Sequence, residues 1–234
     1  MQLKTLLRAG LVVGLLAGAT TAFAATGGID DAAGCCEPAV RVSPPTTTSP
    51  LPPSSNIVII GDSLFAGIVW HSFLGAEHTI QARLRATGRT VFTKAEIGRS
   101  VPWGVNVVRD NRSAVAQADV ALIGLGTNEV LDTPGLDVAT SRVAIDRMVR
   151  ELRTVNPRIR IVWVDVTVER LFSRTHNWNL ALAAADVDVP AFEVCAWREI
   201  ALANPSWFER DGVHLKLPGY AARRDVLIDC LLIG

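Results

Sequence analysis

Ser63 and His214 are the residues through which this chain could do covalent chemistry, and each stands in a short motif that supports it. Ser63 lies in Gly61-Asp62-Ser63-Leu64, and His214 closes Asp211-Gly212-Val213-His214. A serine hydroxyl is a weak nucleophile at neutral pH and needs a base within hydrogen-bond reach. His214 is the candidate base, through Nε2. Its other ring nitrogen needs an acceptor that fixes the tautomer and stabilises the imidazolium, and Asp211 is placed to supply it. Gly212 lets a tight loop fold that carboxylate back onto its own histidine.

Two further pieces complete a reaction. When a carbonyl is attacked, negative charge grows on its oxygen, and preorganised donors must meet it. The Ser63 backbone N–H, the Gly98 backbone N–H and the side-chain amide of Asn128, in Gly126-Thr127-Asn128-Glu129, are the nominated donors. Glycine suits the second role because substrate can approach its backbone closely. Asparagine suits the third because its NH₂ is a neutral donor on a short arm. The chemistry these residues would do together is acyl transfer from an ester through a serine. The rate should then rise with pH as His214 loses its proton.

Taken singly, each motif has a plainer reading. Gly61-Asp62-Ser63-Leu64 is a common strand-to-helix turn, Gly98 a turn glycine, and Asn128 a loop or capping residue. Their joint occurrence, in order and after successive strands, is what favours catalysis. The α/β-hydrolase architecture, which needs Gly-x-Ser-x-Gly at a nucleophile elbow, is disfavoured, because Phe65 stands where the second glycine belongs. His71, His78 and His176 have no ligand-like neighbours and read as surface or packing residues, and no metal or cofactor motif is evident. Trp70, Trp103 and Trp178 are more often core residues than pocket walls, although any of them could line a substrate site.

The elements must bring these pieces together. Ile57-Val58-Ile59-Ile60 is a continuous apolar, β-branched run, as in a strand buried on both faces. Further strands are expected at 90–95, 120–123, 159–166 and 189–195. Helices are expected after Gly61, and at 77–87, 138–155, 177–185 and 218–232. In the third of these, Val138, Ile145, Met148, Val149 and Leu152 share one face. Alternating strands and helices predict an α/β fold: a three-layer α/β/α sandwich on a mostly parallel, five-stranded, flavodoxin-like sheet. Ligands bind such sheets at the carboxyl ends of the strands. Ser63, Gly98 and Asn128 follow the first three strands and so share that edge.

The 234 residues carry 23 Lys+Arg and 23 Asp+Glu, a formal net charge of zero, and lack the basic excess of a nucleic-acid binder. Residues 1–24 read as a signal peptide: Lys4 and Arg8 precede an apolar run too short to span a membrane, and Ala22-Phe23-Ala24 fits the cleavage pattern. Asp30 and Asp31 separate that run from Cys35, which argues against a lipidation site. Residues 25–55 are rich in Pro, Ser and Thr and read as a disordered linker, with the folded domain at 56–234. Export would place all four cysteines in an oxidising compartment. Cys195 and Cys230 are the expected disulfide, the alternative being two buried thiols. Cys35 and Cys36 could bridge each other or another chain. Secretion or attachment to the cell envelope follows as an expectation, and the linker suits a domain facing the cell wall.

These motifs resemble the SGNH, or GDSL, family of serine esterases and lipases over roughly Ile57 to Tyr220. Ser63, Gly98, Asn128 and His214 match the four residues that name that family, and Asp211 matches its aspartate. Leu215 and Pro218-Gly219-Tyr220 continue the likeness. Glu129 departs from it, since an aspartate commonly follows the asparagine. The resemblance implies a flavodoxin-like sandwich, no metal or cofactor, and a small-molecule or glycan ester as substrate. It also implies that some relatives transfer acyl groups or deacetylate sugars. An O-acyltransferase or deacetylase of cell-wall or extracellular sugars is therefore the alternative function, and a non-catalytic wall-binding module is the alternative of another class. The residues leave oligomeric state open.

Overall fold

The computed structural model describes residues 50–232. The expected signal peptide, most of the linker, and Cys35 and Cys36 lie outside them. Packed structure begins ahead of the expected boundary at Asn56. Leu51 is buried in the core and its carbonyl accepts from the Arg89 guanidinium, so an apolar residue within a Pro/Ser-rich stretch already belongs to the domain.

The elements run β1 (Asn56–Gly61), α1 (Ser63–Val69), α2 (His71–Leu74), α3 (Ile80–Arg85), β2 (Thr90–Ala95), α4 (Val101–Asp110), α5 (Arg112–Ala116), β3 (Val120–Gly124), α6 (Thr127–Asp132), α7 (Val138–Val155), β4 (Arg160–Val164), α8 (Phe172–Asp188), β5 (Phe192–Cys195), α9 (Arg198–Leu202) and α10 (Leu217–Leu232). The five strands pair in the order β2-β1-β3-β4-β5, and every pairing is parallel. That order reverses direction between β1 and β3, and such a switch point opens a crevice at the carboxyl ends of the strands.

Side chains alternate across a strand, so a sheet covered on both faces must be apolar at every position. Ile57 and Ile59 face one core with Leu122 and Val162, filled by α1, α3, α9 and α10. Val58 and Ile60 face the other with Ile123 and Trp163, filled by α4, α7 and α8. α7 presents Ile145, Met148, Val149 and Leu152 to that core, and its first turn is capped by Asp137 accepting from the Thr140 N–H at 2.7 Å. The C-terminal helix α10 is fastened twice. Cys230 is joined to Cys195 of β5 with a Cα–Cα distance of 5.8 Å. Arg160 of β4 donates to the carbonyls of Leu231 and Cys230 while paired with Glu193.

Several elements differ from expectation; β4 is shorter than 159–166, at Arg160–Val164, and α3 shorter than 77–87, at Ile80–Arg85. β5 begins at Phe192 rather than Val189, because α8 runs on to Asp188. α8 also starts five residues before Asn177, at Phe172. α4 and α5 were not anticipated from the valine-rich segment after Gly98.

Candidate active site

The nucleophile position is set by β1 and α1. Asp62 breaks the strand: its N–H donates to the Gly124 carbonyl at 3.0 Å, and its Oδ1 accepts from the Leu64 N–H at 3.0 Å. Asp62 is therefore the N-cap of α1, and Ser63 is the first residue of that helix. Among the described residues the Ser63 N–H has no acceptor, so it remains a donor at the helix's positive end. Phe65 locks this turn. A Cβ built on Gly61 would lie 2.3 Å from its ring, and one on Gly124 would lie 1.8 Å away, so only glycine at both strand ends leaves room for the ring.

His214, 151 positions beyond Ser63 in the chain, stands on a tight loop just before α10. Phe208 bridges Leu215 antiparallel, the Glu209 N–H donates to the His214 carbonyl at 2.8 Å, and the Gly212 N–H donates to the Glu209 carbonyl at 3.0 Å. Gly212 turns the loop with φ of 67°, a left-handed conformation that a side chain would strain. The loop brings His214 Nε2 to 3.0 Å from Ser63 Oγ and His214 Nδ1 to 2.7 Å from Asp211 Oδ2. Asp211 Oδ1 accepts from the backbone N–H groups of Val213 and His214, both at 2.9 Å. With the carboxylate so occupied, Nδ1 carries the proton and Nε2 is left to accept from Ser63. Burial would raise the Asp211 carboxyl, but the His214 ring hydrogen bond and the two backbone N–H groups outweigh it and bring it down to about 2. Asp211 is thus an anion throughout the neutral range. The rim is open: the His214 and Asp211 side chains are each 43% exposed.

Gly98 and Asn128 converge on the same edge, after β2 and β3. Gly98 has φ of 72°, is exposed, and has open space where a Cβ would sit. Asn128 Nδ2 donates to the Arg99 carbonyl at 2.7 Å. An amide nitrogen has two hydrogens, so this bond uses one and leaves the other to a ligand. The neighbouring Glu129 accepts from the Val101 N–H at 2.5 Å through Oε1. It thereby caps α4, for which Ser100 supplies no side-chain cap. Adjacent residues 128 and 129 thus clamp the Gly98 loop at both sides of Ser100. Burial pushes the Glu129 carboxyl up, the Val101 N–H draws it down, and its long arm reaches the helix end.

Of the tryptophans weighed as pocket walls, Trp178 is fully buried against Gly126 and belongs to the core. Trp103 is half-buried beneath Arg99, whose guanidinium carbon lies 5.7 Å from its ring centre. Arg99 is also paired with Glu96 at 2.8 Å. His176 stacks on Phe172, and His78 is exposed beside Glu77. Among the described residues no cluster of His, Cys, Asp or Glu could hold a metal. No described helix is long and apolar enough to cross a membrane. Sequence reasoning missed Asp165, whose Oδ1 accepts from the Trp197 and Arg198 N–H groups, and Arg223, buried between the rings of Phe65 and Trp197; nothing in their local sequence marks these positions.

Solved structures with this fold include a lipase from a goat rumen metagenome, 15% identical, covering 74% of this chain and 96% of that one with a TM-score of 0.59. An acetyl xylan esterase is 17% identical, with coverages of 75% and 100% and a TM-score of 0.60. The C-terminal catalytic domain of a Streptococcus pneumoniae peptidoglycan O-acetyltransferase is 14% identical, with coverages of 76% and 93% and a TM-score of 0.58. At these identities the likeness is one of fold. No curated protein sequence matches the chain. Residues 59–222 match the GDSL-like Lipase/Acylhydrolase family, and they hold every residue of the site just described, so the chain belongs to that family.

Proposed function

We propose that this protein is an exported serine esterase that cleaves carboxylic esters through an acyl-enzyme on Ser63. The observation that carries the proposal is the continuous relay from Ser63 Oγ to His214 Nε2 at 3.0 Å and from Nδ1 to Asp211 at 2.7 Å. Ser63 Oγ attacks the ester carbonyl as His214 takes its proton. The carbonyl oxygen, now anionic, is met by the Ser63 and Gly98 N–H groups and the spare hydrogen of the Asn128 amide. The tetrahedral intermediate collapses, the C–O bond to the alcohol breaks, and His214 returns the proton to the leaving oxygen. Water then attacks the acyl-enzyme by the same route, with His214 again the base. Export rests on the N-terminal signal pattern in residues 1–24.

The half-exposed relay and the open face at Gly98 suit small or accessible acyl groups. The same openness supports a second reading, in which a sugar or wall-polymer hydroxyl replaces water as acceptor. A peptidoglycan O-acetyltransferase domain and an acetyl xylan esterase share the fold. A chain-length series of p-nitrophenyl esters, run beside acetylated sugars with and without an added sugar acceptor, tests both. Fast release of acetate with no acylated acceptor supports the esterase. Acylated acceptor as the main product supports transfer, and an inert native protein refutes both.

A further inference from the structure

Acyl transfer needs the Gly98 N–H at a fixed place, yet Gly98 stands on a segment with little of its own to hold it. Ile97, Gly98 and Arg99 are exposed, and a Cβ on Gly98 would meet nothing within 4 Å. The Glu96 N–H is tied to the Gly61 carbonyl at 3.2 Å, but none of the N–H groups from Ile97 to Ser100 has an acceptor among the described residues. The Arg99–Glu96 ion pair, at 2.8 Å, joins the segment only to itself. Packing resumes at Val101, which is fully buried.

Two hydrogen bonds cross to this segment from α6. Asn128 Nδ2 donates to the Arg99 carbonyl at 2.7 Å, and Glu129 Oε1 accepts from the Val101 N–H at 2.5 Å. The start of α6 is itself fixed by the core. The Leu125 carbonyl accepts from the buried Trp163 Nε1 at 2.8 Å, Gly126 lies against the buried Trp178 ring, and Thr127 and Val130 are buried. Asn128 has its own task at the oxyanion. Glu129 has none in the acyl-transfer scheme, and its Oε2 is buried with no partner among the described residues. A helix cap alone does not require that cost. Ser100, at the N-cap of α4 with extended backbone, is a residue type that caps a helix locally. Glu129 instead reaches across 28 positions, and in doing so it ties the Gly98 segment to the residue beside Asn128.

We propose that Glu129 is a positioning residue for the oxyanion hole: through the Val101 N–H it holds the Gly98 segment against α6, so that the Gly98 N–H and the Asn128 amide meet the same oxygen. The inference rests on the esterase reading. Glu129 touches no reacting atom and acts only through the backbone it holds. Its contribution is an acceptor oxygen at the right reach, which a neutral amide of the same length also supplies. Acylation and deacylation both pass through an oxyanion, so a loosened segment slows both steps.

The test compares the full-length native enzyme with Glu129→Gln, Glu129→Asp and Glu129→Met. It reads kcat and KM for p-nitrophenyl acetate, normalised to the sites titrated by a fluorophosphonate, with thermal unfolding alongside. Glu129→Met keeps the length and loses the acceptor, so kcat should fall about tenfold to a hundredfold with KM little changed. Glu129→Gln keeps an acceptor at the same reach and should stay within about threefold of the native kcat. Glu129→Asp draws the acceptor back by one methylene and should fall between the two. Should Glu129→Met not fold, the contrast between Glu129→Asp and Glu129→Gln carries the test. A Met or Asp variant that unfolds sooner but keeps the native kcat per titrated site overturns the inference alone, as does a Gln variant slowed as much as the Met or Asp variant. A native enzyme inert to the ester and to a fluorophosphonate overturns the esterase reading, and this inference with it.

Discussion

Replacing Asp211 by Asn changes one atom's chemistry and should disable the relay by trapping the wrong tautomer. Asp211 Oδ1 accepts two backbone N–H groups at 2.9 Å, so an asparagine must place its carbonyl oxygen there. Its NH₂ then faces His214 Nδ1 at the 2.7 Å position and donates to it. Nδ1 becomes an acceptor, the ring proton moves to Nε2, and Nε2 can no longer take the proton of Ser63. Flipping the amide restores the working tautomer but points NH₂ at two N–H donors. At a site 43% exposed, each abandoned donor costs toward the low end of the usual range, about 1–2 kcal/mol, so the flip costs about 2–4 kcal/mol. That alone lowers the rate about 30- to 1000-fold. Loss of the negative charge opposite the imidazolium adds to it, bringing the fall in kcat to about 10³–10⁴. The assay is kcat for p-nitrophenyl acetate, with circular dichroism to show that the fold is retained. A folded Asp211→Asn enzyme within tenfold of native activity would refute the tautomer argument.

Stability should fall as pH rises from 4 to 7, in part because of Asp165. Burial raises its carboxyl from 3.8 to about 6, so the folded chain holds a proton there that the unfolded chain has released. Its contribution is complete below about 4 and lost as pH rises through about 6, a change of about 3 kcal/mol. Urea unfolding of native protein and Asp165→Asn at pH 4 and 7 should show that much less decline in the variant; parallel declines would exclude Asp165 as the source. Gly124→Ala places a Cβ 1.8 Å from the Phe65 ring, which must shift with α1. A loss of about 1–3 kcal/mol and a larger proportional loss of kcat are expected, read from thermal unfolding and kinetics, and unchanged kcat would show that the ring does not hold Ser63 in place. Cys195→Ser/Cys230→Ser releases a cross-link spanning 35 residues and should cost about 3–4 kcal/mol in urea unfolding. No measurable cost would mean that the Arg160 hydrogen bonds secure the end of α10 unaided.

Sheet and relay were readable in the sequence because both are locally encoded. A strand buried on two faces must be a continuous apolar run, and Ile57-Val58-Ile59-Ile60 and Val120-Ala121-Leu122-Ile123 can be little else. Ser63 and Asn128 follow those runs directly, and Asp211 and His214 share one tight loop, so their types and places were visible without coordinates. Features encoded by distant partners were not. α4 begins at a valine-rich stretch whose cap comes from Glu129, 28 positions away, rather than from Ser100. Leu51 reads as part of a linker until Arg89 is seen to hold its carbonyl. Arg223 stands beside Arg224 in a helix with mixed charges, and only the rings of Phe65 and Trp197 show that it is interior.

The central claim is that Ser63 is a nucleophile activated by His214. Exposing the native protein, Ser63→Ala and His214→Ala to a fluorophosphonate and mapping the adduct by peptide mass spectrometry tests it most directly. One adduct per native chain, located on Ser63, absent in Ser63→Ala and strongly slowed in His214→Ala, is the predicted result. A native protein that labels no faster than Ser63→Ala, or that carries its adduct on another residue, would contradict the account.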